Sequence, residues 1–230
     1  MQTRIRILFI ASVLFCQSVQ AAAESAGCAR GEAALANADL AGAAQWSTVC
    51  LAQADLSDAA KRRALQLRAW AFFNLNQDKA AVLDQENSFK LGAPREIAEF
   101  VNYSSYLRRV ARYQDSLNAL RSAEKLERAA GKPGMMIQYN LGWTLFELGR
   151  YEGAVQVLGA AIPSQPDFPF AYWRRALALE AMGRKAQARL DIEKAADLVV
   201  NGPMKFTDDK FMAALRSKVA EYGLAKKYAF

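Results

Sequence analysis

The sequence contains no histidine. That excludes a Ser-His-Asp or Cys-His nucleophilic centre and removes the commonest transition-metal ligand. Three cysteines cannot complete a four-ligand zinc site without distant carboxylates. No Walker-type phosphate loop and no dinucleotide glycine fingerprint is present, so no cofactor is expected. Acid pairs such as Glu180 and Asp191 occur, but on segments that read as solvated helix faces. Glycine (13) and proline (6) are sparse, and alternating β-branched runs are scarce, which leaves little material for sheets. What remains, 53% hydrophobic and 23% charged over 230 residues, suits a folded all-α protein with no catalytic constellation.

The longest apolar stretch lies at the start. Arg4 and Arg6 give it a basic beginning, it runs to Phe15, and small residues follow at Val19 to Ala23. It is too short for the roughly 20 residues of a membrane helix. The pattern predicts a secretory signal peptide over residues 1–21, the alternative being a short membrane anchor. Leu14 and Phe15 are too bulky for a lipoprotein cleavage motif before Cys16. No later segment could span a membrane. Setting residues 1–21 aside, with their two basic residues and no acidic one, lowers the net charge from +7 to +5. That excess is spread along the chain without a dense Lys/Arg run, which reads as a solvated surface and not as a nucleic-acid interface. Cys28 and Cys50 remain. In an exported chain two cysteines suggest one disulfide, the alternative being two buried thiols.

The chain repeats itself. Gly149 recurs as Gly183, Ala154 as Ala188 and Ala161 as Ala195, each 34 residues on. Ahead of Gly149 stand Leu141 and Gly142; after it come Tyr151, Leu158 and Pro166. The following copy carries Tyr172, Arg175-Ala176 and Ile192.

This pattern resembles the tetratricopeptide repeat (TPR) family, whose 34-residue helix pairs set Leu-Gly, an aromatic, alanines and a proline at fixed offsets. Copies are read at 135–168 and 169–202. The first departs at Gln138, where a large residue is usual, and the second lacks the closing proline. Fainter copies fall at 96–134 (Phe100, Leu107, Tyr113, Ser116, Leu120, Ala123), at 59–95 (Leu65, Ala69, Phe73, Ala81, Phe89) and at 24–58 (Ala43, Cys50). Pro94 suits the start of the first helix of the copy at 96–134. Residues 203–230 read as a cap: Thr207 with Asp208 and Asp209 as a helix start, then a stripe of Phe211, Met212, Leu215 and Val219. The resemblance implies a right-handed α-solenoid of about five antiparallel helix pairs. Gly142 or Ala176 would sit against Ala154 or Ala188, and Gly149 and Gly183 would end the first helices in left-handed conformation. Cys28 and Cys50 would meet at one end of the first hairpin and staple the terminal repeat.

In such arrays the first helices line a concave groove. The corresponding positions are Met136, Tyr139, Asn140, Trp143 and Phe146; Phe170, Trp173 and Arg174; Arg108 and Arg109; and Trp70 and Phe73. This wall, aromatic with a basic portion, suits an apolar or acidic peptide, though tight packing between repeats would bury part of it. Asn140 and Arg174 match two positions of a carboxylate clamp known in the family, but Val101 and Phe170 stand where its lysines belong. The sequence therefore points to a non-enzymatic periplasmic or secreted adaptor that binds a protein or peptide. An alternative is an accessory factor bracing an envelope-assembly or polysaccharide-export complex.

Overall fold

The structure is a computed structural model that describes residues 26–131, 134–202 and 209–228. The signal-peptide reading, Cys16, and the helix start at Thr207 and Asp208 lie outside the described residues. Among those described there are eleven α-helices and no strand. They divide into two compact units, up to Arg95 and from Glu96 onward.

The first unit holds two helix pairs. Helices α1 (26–36) and α2 (Leu40–Leu51) form one hairpin, and α3 (Asp58–Asn74) and α4 (Asp78–Lys90) form the next. Ala43, Ala44 and Ala71 make one small core with Leu35, Leu67 and Phe72 around it. A second gathers Cys50, Leu56 and Ala64 beside Cys28. Cys28 and Cys50, 22 positions apart in sequence, are joined by a disulfide with Cα atoms 4.9 Å apart. Loop-closure entropy puts its contribution at about 3 kcal/mol.

The second unit holds α5 (Ile97–Arg109), α6 (Tyr113–Ala130), α7 (Met135–Glu147), α8 (Tyr151–Ala161), α9 (Pro169–Ala181), α10 (Lys185–Asn201) and α11 (Asp209–Glu221). Each odd-numbered helix from α5 to α9 pairs with its successor; α5 also packs on α7, and α7 on α9. Leu117, Leu120, Ile137 and Leu141 centre one core, and Leu158, Ile192, Leu215 and Val219 sit in another closed by α11. Lys218 of α11 and Tyr222 just beyond its end both donate to Glu180 of α9, at 3.0 and 2.7 Å. Pro94 does not begin α5. The helix starts at Ile97, where Glu96 and Glu99 form a reciprocal capping box.

One register governs all five hairpins. Gly31, Ala69, Ser104, Gly142 and Ala176 are buried on the first helix of each pair. Twelve residues later stand Ala43, Ala81, Ser116, Ala154 and Ala188, all fully buried. Small residues at both places let the two backbones approach. At Gly142 the restriction is severe: a Cβ there would run into Leu158 Cγ. It is Leu158, more than Ala154, that demands glycine.

The turn between the helices falls seven residues after the first small residue. Ala38, Asn76, Ala111, Gly149 and Gly183 all have φ between 58° and 74° there. The residue after each donates its N–H to the carbonyl five residues back at 2.8–2.9 Å, which closes the helix in a Schellman-type motif. Glycine was legible as the stop in two of these turns. Alanine holds the same left-handed place in two others, at a cost of about 1–2 kcal/mol each.

Candidate functional site

Trp143 lies midway along α7, half-buried, on the face turned toward α5 and α9. Its indole receives two guanidiniums. Arg108 of α5 stands 4.4 Å from the ring centroid and Arg174 of α9 stands 3.7 Å from it. The indole N–H donates to Glu147 at 2.9 Å. Three first helices of consecutive pairs thus converge on one aromatic ring, and each guanidinium contact is worth roughly 1–2 kcal/mol when partly desolvated.

Arg108 is only 7% exposed. Its guanidinium donates to Asn140 Oδ1 at 2.7 Å, Ser105 Oγ at 3.0 Å, Thr144 Oγ1 at 3.3 Å and Ser104 Oγ at 3.5 Å. Each acceptor is held by a second bond. Asn140 donates its amide to Met136 O, and Ser104 and Ser105 donate to Val101 O. Ser116 gives its hydrogen to Ser104 O, so in the 3.1 Å contact between Ser116 and Thr144 the threonine hydroxyl is the donor. Every oxygen therefore turns a lone pair toward Arg108, and none of them carries charge. Burial pushes the Arg108 guanidinium down to about 10, with Arg174 pushing the same way and Tyr139 and Glu147 opposing. It stays protonated at neutral pH.

Arg174 is half-exposed and makes no hydrogen bond or ion pair among the described residues; its Nε is buried without an acceptor. Arg108 Nε is likewise buried without one.

The other expected wall residues part company. Tyr139 stacks toward Trp143 at 5.9 Å and meets Phe168 edge-on at 5.2 Å. Met136 is 57% exposed, one turn along the same face. Phe146 packs against Tyr151 of α8 at 5.5 Å. Phe170 and Trp173 turn to the cap, with rings 4.4 and 5.8 Å from Phe211, and Trp173 is buried. Asn140 does not face outward either: its amide is spent on Arg108 and Met136. Arg109 is exposed on α5. Trp70 and Phe73 belong to the first unit, where their rings lie 6.3 Å apart and Trp70 is exposed.

Two further arginines show a different use. Arg68 holds Asp84 in a bidentate pair at 2.7 and 2.8 Å, and Arg175 holds Asp191 at 2.7 Å twice. Both pairs span 16 residues and link the two helices of a hairpin. The hydrogen bonds to Asp191 raise the Arg175 guanidinium above its ordinary value. Sequence reading missed Ser104 and Thr144 as supports of Arg108. Serine at both small positions of one hairpin, where the others carry glycine or alanine, was the available signal.

The geometry defines a class first: an α-solenoid of antiparallel helix pairs in TPR register. Residues 142–183 match the TPR repeat family. The chain thus carries a TPR match over that segment and shares the fold of TPR solenoids. No curated protein matches it. Among solved structures it is similar to a crystal structure of MamA, at 20% identity and a TM-score of 0.60 over 73% of this chain and 93% of that one. It is also similar to MamA residues 41-end from Desulfovibrio magneticus RS-1, at 14% identity and 0.64 over 76% and 94%. A third is YrrB, described as a TPR protein with an unusual peptide-binding site, at 16% identity and 0.64 over 89% and 97%.

Proposed function

We propose that this protein is an exported, non-enzymatic adaptor whose second unit binds a segment of another protein on the face shared by α5, α7 and α9. The observation that carries the reading is the Arg108–Trp143–Arg174 cluster. An aromatic ring and two cations stand where three repeats meet, and one cation lacks any acceptor among the described residues. Stacking on the indole places the guanidinium but leaves its N–H groups to be met by water or a ligand. Met136 and Tyr139 extend the surface along α7, as an apolar strip beside a polar anchor. The TPR fold supports an interaction role, and YrrB, which shares it, is described by its peptide-binding site. Export rests on residues 1–21 and agrees with the Cys28–Cys50 disulfide, since such bonds persist in oxidising compartments.

The test is a photo-crosslinking amino acid at position 136, where the side chain is exposed. Irradiation in cells should join the protein to a small set of partners. The set should be depleted when Trp143→Ala is combined with it. An unchanged set would refute docking on this face. Mass spectrometry of the purified protein should find a new N-terminus near residue 22; an intact Met1 would refute the export reading.

A further inference from the structure

Three charged side chains are buried among the described residues: Asp84, Asp191 and Arg108. The two aspartates each receive a bidentate arginine. Arg108 receives only neutral oxygens, all fixed by second bonds so that they cannot turn away. A buried cation without a counter-charge is costly, and a nearby anion relieves that cost. Beside it, on the Trp143 ring, Arg174 has no acceptor for its terminal N–H groups among the described residues. Glu147, the carboxylate whose field reaches Arg108, accepts from the indole and makes no ion pair with either guanidinium. The cluster carries two positive charges against one negative.

We infer that the missing partner is the side-chain carboxylate of an aspartate or glutamate in the bound segment, received by Arg174 over the Trp143 ring and favoured by the buried charge of Arg108. This rests on the groove reading above. A net charge of one suits a singly charged carboxylate better than a dianionic phosphate. The planar fork of a guanidinium matches that group in two hydrogen bonds. A side chain fits better than a chain terminus, because apolar surface continues past the cluster on both sides along α7. Met136 and Tyr139 lie before it, and after it lies Phe146, backed by Tyr151 yet still partly exposed. A terminal carboxylate would leave one side uncovered. Nor is this a clamp built on an asparagine amide, because Asn140 is already spent on Arg108.

Fluorescence anisotropy with three labelled nonapeptides tests the inference on the full chain. All three carry leucine and phenylalanine on both sides of the central residue. One has a central glutamate and an amidated C-terminus; the second replaces that glutamate with glutamine; the third is the glutamine peptide with a free terminal carboxylate. The glutamate peptide should bind about tenfold more tightly than the amidated glutamine peptide, and the gap should shrink as salt is raised. Arg174→Gln should reduce the gap to less than about twofold, while Arg174→Lys should keep part of it. Circular dichroism melts of both variants separate lost binding from lost folding. Equal binding of the two amidated peptides would overturn the inference alone, as would an unchanged preference in Arg174→Gln. A free-acid glutamine peptide that matches the glutamate peptide would overturn it in favour of a terminal carboxylate. Binding of none of the three would overturn it together with the groove reading.

Discussion

Arg174 and Arg175 are consecutive residues of α9 with opposite fates. Arg175 points into its own hairpin and locks both oxygens of Asp191. Arg174, one residue and roughly 100° around the helix away, points to the neighbouring pair and lies on Trp143 without a hydrogen bond among the described residues. Arg68 repeats the first arrangement in the other unit, with Asp84. Arg108, on α5, shares with Arg174 only the indole contact and the lack of a carboxylate; its guanidinium is buried and spent on neutral oxygens. An arginine inside a hairpin has a carboxylate in fixed register to meet; one on the shared face of the first helices has none. The difference separates cations that hold the fold from cations available for binding.

The comparison breaks most visibly at its committed side. Asp191→Asn leaves Arg175 half-buried with a neutral partner and should cost about 2–3 kcal/mol, read as a lower midpoint in urea. Asp84→Asn should cost a similar amount in the other unit. Next comes Gly142→Ala, which drives a methyl group into Leu158 and should cost about 1–3 kcal/mol by the same measurement. A small gain is expected from Ala111→Gly, about 0.5–1 kcal/mol, because a left-handed alanine is relieved faster than the unfolded chain gains freedom. Gly149→Ala should show the reverse. Last comes Arg174→Gln, expected to stay within about 1 kcal/mol of the parent, because the lost ring contact is offset by relief of repulsion with Arg108, while binding changes. If Arg174→Gln unfolds the protein as Asp191→Asn does, the division between holding and binding arginines fails.

The sequence made the periodic features legible. Gly149 and Gly183 stood 34 residues apart, as did Ala154 and Ala188, because close helix contacts accept few residue types. The Cys28–Cys50 pairing was legible for the same reason: both cysteines sit at fixed places on one hairpin. The fainter copies kept the register with serine or alanine in place of glycine, and those substitutions hid it. At the site, period alone could not separate the wet residues from the dry ones. Trp173 and Phe170 share the expected face of α9 with Arg174, yet Phe211 of the cap covers them. Which side chains a terminal helix will cover depends on tertiary packing, and no local pattern records it. Arg108 was read as part of a basic wall. Its burial depends on Ser104, Ser116, Asn140 and Thr144, which meet only across three helices.

The disulfide of the first hairpin also has a mechanical meaning. If the protein were pulled by its two ends, force entering at the N-terminal side would cross from Cys28 to Cys50 through sulfur. The chain between them, spanning a sequence separation of 22, would bear no load. Fully extended, that stretch would release about 75 Å of chain. A single-molecule trace of the oxidised protein should therefore be shorter than the reduced one by about that length. The first hairpin then acts as a covalent end-stop, which α1 and α2 cannot lengthen by unravelling.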